Sequence, residues 1–183
     1  MRHSRRCLSK SYRQQSAKRL AAVIVTRILR RRFQRIACYL SNDGEIDLNP
    51  AISRLWASGH QNFLPVLHRH KLWFMPYTET TPMAVNYFGI PEPDISPRKR
   101  CPPRALDVVL MPLVAFDESG NRLGMGGGFY DQTFSYKSRA ANVSKPLLIG
   151  VAYEFQRVDL LPTNWWDIGL DGIVTENGYR PFG

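Results

Sequence analysis

Two short apolar runs, residues 106–111 and 147–153, bracket four glycines in five positions: Gly124, Gly126, Gly127 and Gly128. No other feature constrains the fold as much. Runs of six or seven residues, apolar but for Asp107, are too short for buried helices and lack the alternation of a half-exposed strand. They read as central strands covered on both faces. Residues 35–40 form a third such run, stopped by the turn residues Ser41-Asn42-Asp43-Gly44. Asn49 ahead of Pro50 predicts a capped helix that reaches about Ser58 and ends at Gly59. Residues 62–67 then read as the next strand. A strand–helix–strand rhythm of this kind implies a crossover between parallel strands. The expected fold is α/β, a three-layer Rossmann-like sandwich with a mostly parallel central sheet.

The flanking segments fit one domain spanning 1–183. Residues 11–32 space Leu20, Val23, Ile24 and Ile28 at three and four, as an amphipathic helix does. Residues 71–77 read as a strand, and 171–175 as a last short one. Between positions 90 and 104 lie five prolines, which predict a surface loop. The net charge of +10 is concentrated at one end. Twelve of the 25 Lys and Arg residues, including Arg30-Arg31-Arg32, fall within the first 35 positions, where no Asp or Glu occurs. A solvated helix face accounts for this better than a nucleic-acid site, although it would draw in phosphate-bearing ligands. Cys7, Cys38 and Cys101 have no metal or disulfide spacing and read as reduced cytoplasmic thiols. No apolar run approaches the roughly 20 residues that span a bilayer, so a soluble protein with no membrane partner is expected, and it is read as a monomer.

The glycine cluster carries the chemistry. Without side chains the backbone of 124–128 can approach a ligand, and positive φ angles let several N–H groups converge on an anion. Arg122 can grip a phosphate in a fork, Tyr130 offers stacking, and Asp131 can hold a divalent cation that bridges phosphate oxygens. A helix is expected from Tyr130 to about Ser138. The run is not a Walker loop, because no Gly-Lys-Ser/Thr follows. It is not a dinucleotide fingerprint either, because Phe129 stands where the third glycine belongs. A tight, closely packed strand–helix turn with no ligand remains the alternative.

The run Arg122-Leu123-Gly124-Met125-Gly126-Gly127-Gly128-Phe129-Tyr130-Asp131 closely resembles the signature of the 5-formyltetrahydrofolate cyclo-ligase family. So do Pro112–Asp117 with Gly120, Leu40-Ser41 followed by Glu45 and Asp47, residues 62–67, and Pro162 with Trp166-Asp167. Together these cover roughly residues 5–175 in the family's order. The resemblance implies an enzyme that uses ATP to close 5-formyltetrahydrofolate into 5,10-methenyltetrahydrofolate. It implies that Arg122 through Tyr130 bind ATP, with Arg122 and Tyr130 nearest the chemistry. Leu40, Glu45 and Met125 through Phe129 would contact the reduced folate, and Asp131 and Asp167 would ligate Mg²⁺. Arg2 and Arg6 imitate the spacing of a Lys-x-x-x-Arg phosphate element found in many relatives, but Arg5-Arg6-x-Leu8-Ser9 aligns better with a segment lying after it.

Rival readings are a nucleotide- or RNA-binding relative without catalysis, favoured by the Arg-rich start, and a sugar-phosphate isomerase or acyl-transferase. The last two need a placed general base that the sequence does not offer. Elsewhere, His68-x-His70 reads as exposed loop rather than a metal pair. Trp165-Trp166 reads as packing onto the core more than stacking on a ligand, and Asp117-Glu118 as a solvated turn.

Overall fold

The computed structural model describes residues 1–28, 33–138 and 145–182. In chain order the elements are α1 (Arg2–Arg6), α2 (Lys10–Val23), β1 (Arg35–Ala37), α3 (Asn49–Ala57), β2 (Gln61–His68) and β3 (Lys71–Tyr77). Next come β4 (Met83–Val85), β5 (Pro91–Pro93), β6 (Val108–Pro112), β7 (Ala115–Phe116) and β8 (Arg122–Leu123). The chain finishes with α4 (Phe129–Phe134), β9 (Leu147–Val151), β10 (Gly172–Thr175) and β11 (Gly178–Pro181).

Seven strands form one sheet in the order β11-β10-β9-β6-β1-β2-β3. The five inner strands are parallel, and β3 and β11 close the two edges antiparallel. The register sets Ala37 beside both Phe63 and Val109, and Val109 beside Leu148. Pleating then divides neighbouring apolar residues between two cores. Ile36, Val108, Leu110, Ile149 and Val174 pack with Leu20, Ile24, Ile52 and Leu55 of the α2–α3 layer. Ala37, Val109, Met111, Leu148 and Ile173 pack with Phe74, Phe116 and Phe134 on the opposite face. Each fully buried Leu or Ile contributes about 2 kcal/mol, so both layers are held by the same continuous runs. The expected three-layer, mostly parallel α/β sandwich is observed.

Boundaries differ where local chemistry intervenes. Ser9 caps α2 by accepting the Tyr12 N–H at 3.2 Å. After Val23 the helix loosens into a π-turn, Ile24–Ile28, that keeps Ile24 and Ile28 buried. The Arg30-Arg31-Arg32 run lies outside the described residues. Leu48, not Asn49, is the cap of α3, and Asp47 accepts the Asn49 N–H at 2.9 Å. β1 and β9 stop short of the predicted ends. α4 ends at Phe134 rather than near Ser138. The proline-rich stretch holds strand β5, which pairs antiparallel with β4; Pro91 and Pro93 are tolerated because this two-stranded ribbon is all edge. Among the described residues no helix is long and apolar enough to cross a membrane.

Candidate functional site

Reversal of strand order between β1 and β6 opens the sheet at its carboxyl edge, where α/β proteins place ligands. A cleft of about 1490 Å³ lies there. The chain leaving β1, the carboxyl half of β2 and the chain leaving β6 all line it. Every residue expected from the sequence to form the site lines this one cleft: Leu40, Glu45, Arg122 through Asp131, and Asp167.

The loop after β1 is held by charge. Asp43 accepts from Arg6 Nε at 2.5 Å, Arg2 Nε at 2.7 Å and Arg5 Nη2 at 3.3 Å. Arg5 is only 1% exposed and also donates to the Leu113 carbonyl at 3.0 Å, so α1 straps the β1 loop to the segment following β6. A solvated face does not describe this part of the basic segment. Hydrogen bonds from Arg6 and then Arg2 pull the Asp43 carboxyl from the usual 3.8 to about 2. Glu45 accepts the Asn42 N–H at 3.0 Å. Burial pushes its carboxyl above the ordinary range, partly opposed by that N–H and by Arg5.

The glycine loop forms the facing wall. Gly126 has φ +88° and Gly128, at the start of α4, has φ +61°; both lie in the left-handed region that other residues enter at a cost. A Cβ at Gly126 would meet no heavy atom within 4 Å, so the loop faces open space. A Cβ at Gly127 would sit 2.7 Å from the Phe129 ring, which requires glycine for a different reason. Arg122 Nη2 meets Asp131 Oδ1 at 2.5 Å, while Arg122 Nε is buried and finds no partner among the described residues. Asp131 Oδ1 also accepts the Ile168 N–H at 3.1 Å, which brings it against the residue next to Asp167. Asp167 itself accepts the Asn164 N–H at 2.7 Å. Asp131 and Asp167 both line the cleft and bring only carboxylate oxygens, the donor type that suits a hard cation such as Mg²⁺; Asp131 Oδ1 is already engaged by Arg122, and no group of three metal-ligating side chains occurs among the described residues. Burial raises the Tyr130 phenol well above its usual range, so it stays protonated as a donor.

Three readings change. Trp165 and Trp166 do not pack on the core. They are 84% and 51% exposed, stand edge-on at 5.2 Å and line the cleft. Asp117 is buried rather than solvated and accepts four hydrogen bonds, whereas Glu118 is exposed and pairs with Arg157. Arg122 is engaged by Asp131 rather than left free for an anion. His68 stacks on Trp73 at 3.6 Å, and Arg69, with φ +54°, turns the β2–β3 hairpin. The sequence reading missed Phe88 and Ile90 of the β4–β5 ribbon, which also line the cleft. Their signal, an aromatic pair before Gly89, was masked by the surrounding prolines.

A doubly covered, mostly parallel sheet with a bare backbone loop and two cleft-lining carboxylates at its switch point is the architecture of an α/β enzyme acting on small molecules. The chain belongs to the 5-formyltetrahydrofolate cyclo-ligase family, whose family model matches residues 1–176. The 5-formyltetrahydrofolate cyclo-ligase of Haemophilus influenzae is 43% identical over 150 residues, covering 80% of this chain and 78% of the relative. That of Escherichia coli strain K12 is 38% identical over 182 residues, 96% of each. The solved structure of 5,10-methenyltetrahydrofolate synthetase from Aquifex aeolicus superposes with a TM-score of 0.82 at 30% identity, covering 98% of this chain and 88% of the other.

Proposed function

We propose that this protein is an ATP-dependent cyclo-ligase that converts 5-formyltetrahydrofolate to 5,10-methenyltetrahydrofolate, releasing ADP and phosphate. The observation that carries the reading is one shared cleft. Residues expected for nucleotide, folate and metal, far apart in the chain, share it in a member of this family. In the reaction, the formyl oxygen attacks the γ-phosphorus and ADP leaves. The second folate nitrogen then attacks the formyl carbon, and the C–O bond breaks to release phosphate. Such chemistry needs positioning and charge neutralisation more than a protein nucleophile.

In this reading the backbone of Gly124–Gly128 cradles the phosphates, with Leu123 and Met125 against the nucleotide and Phe129 against the folate. Arg122, held by Asp131, supplies positive charge beside the developing phosphoryl group, and the protonated Tyr130 donates a hydrogen bond there. Leu40 and Glu45 receive the pterin end, the carboxylate accepting from its N–H edge. Asp131 and Asp167 hold Mg²⁺, which when bound spreads the charge on the phosphate oxygens. Trp165 and Trp166, exposed at the cleft mouth, offer flat faces to a ring. All three cysteines are free, in keeping with a cytoplasmic protein. The test is ATP-dependent appearance of the methenyl chromophore when purified protein meets 5-formyltetrahydrofolate and Mg²⁺. Absence of that product, with tight RNA binding instead, would favour the non-catalytic relative.

A further inference from the structure

β2 outruns its inner neighbour. β1 pairs with it only at residues 61–63, yet β2 continues to His68. Backbone N–H groups on that open edge need acceptors from elsewhere. The Leu67 N–H donates to Glu92 Oε1 at 3.0 Å, and the same oxygen accepts Asn86 Nδ2 at 2.8 Å. Asn86 Oδ1 in turn accepts the N–H groups of Phe88 at 2.9 Å and Ile90 at 3.1 Å, and the Asn86 N–H donates to the Ile90 carbonyl at 2.9 Å. One hydrogen-bonded chain thus runs from the sheet, through Glu92 and Asn86, into the turn between β4 and β5. That turn projects Phe88, 54% exposed, and Ile90 over the cleft.

We propose that Glu92 is a positioning residue: one carboxylate oxygen clips the β4–β5 ribbon to the open edge of β2 and so holds Phe88 and Ile90 over the folate half of the cleft. The assignment to folate rests on the function proposed above. It follows from sheet order, because the ribbon sits on β2, the strand next to β1, and the loop that follows β1 carries Leu40 and Glu45. Glu92 acts here as an acceptor and not as a charge, so a glutamine, whose amide oxygen can receive both donors, should replace it.

Three variants test this. Glu92→Ala removes the acceptor. Asn86→Asp keeps the acceptor for Phe88 and Ile90 but removes the donor to Glu92, and it serves if the alanine variant does not fold. Glu92→Gln keeps the clip. The first two should raise KM for 5-formyltetrahydrofolate about tenfold with kcat within about twofold, and Glu92→Gln should stay within about threefold of wild type. In the ligand-free protein, amide exchange at Leu67, Phe88 and Ile90 should quicken at least about tenfold in the first two and not in Glu92→Gln. Equal damage in Glu92→Gln and Glu92→Ala, or unchanged exchange at those amides in Glu92→Ala and Asn86→Asp, overturns the proposal. A wild-type protein that makes no methenyl product would defeat the functional reading alone, since exchange reports the clip without turnover.

Discussion

The turn at 117–121 and the loop at 124–128 are separated only by the two residues of β8, yet they treat their polar groups in opposite ways. In the turn, Asp117 takes N–H donors from Ser119, Asn121 and Leu161 and the Asn121 side-chain amide, all within 2.9–3.0 Å. Gly120, at φ +82°, accepts the Leu170 N–H through its carbonyl at 2.9 Å. Burial works against charge on Asp117, but these donors hold its carboxyl below the usual range. Around the loop, by contrast, a side chain at Gly126 would meet only open space, and Nε of the adjoining Arg122 is buried without a partner among the described residues. A saturated turn is architecture. A neighbouring loop with open space at Gly126 and an unsatisfied guanidinium N–H beside it is a place for a ligand.

Substitutions can break or sharpen that contrast. The largest effect is expected at Asp131→Asn, which keeps an acceptor for Ile168 but removes the carboxylate. kcat/KM, measured well below the melting temperature, should fall by a factor of about 10² to 10³; the melting temperature should fall as well, because the buried Arg122 loses its ion-pair partner. A loss below tenfold in the methenyl-forming assay would mean that the open loop is not where the chemistry occurs. Asp117→Ala should do the reverse, removing about 3 kcal/mol of stability while turnover at low temperature stays within about fivefold. Denaturant unfolding measures the first quantity, and a preserved midpoint would show that the four donors find water instead. Trp166→Ala removes a ring that touches the cleft and not the core. It should weaken binding of one substrate about fivefold, about 1 kcal/mol, and leave the melting temperature alone; titration of ATP and folate separately tells which.

The smallest effect belongs to Asp43, a second saturated carboxylate. Its pKa is depressed by Arg6 and Arg2 from 3.8 to about 2. The stabilisation is therefore complete above 3.8 and lost as pH falls towards 2. Wild type should exceed Asp43→Asn by under about 1 kcal/mol at neutral pH, given partial exposure. That gap should close through the same acidic window, and a gap independent of pH would show that the carboxyl's charge does not matter.

Much of this was legible in the residues because central strands and glycine loops signal through unbroken local patterns. The runs that became β6 and β9, and residues 71–77, could be read directly, and the run from Arg122 to Asp131 marked its own wall of the cleft. What stayed hidden depends on contacts between distant positions. Asp117 looks solvated until Leu161, remote in sequence, turns back to donate to it. The β4–β5 ribbon hides among prolines because only pairing, not composition, makes Pro91–Pro93 a strand. Arg5 reads as one more surface cation until α1 is seen to bury it against Leu113. The Trp pair misleads for the opposite reason: bulky aromatics usually serve a core, and here they face outwards.

The cleft wall is assembled from pieces that run from Arg2 to Asp167, with no contiguous stretch able to form it alone. A molecule seated there acts as a rivet through the whole chain, gripping the first helix and the penultimate loop at once. Occupancy should therefore tighten the protein from end to end, and a shortened chain that still folds would lose its grip on substrate well before its shape.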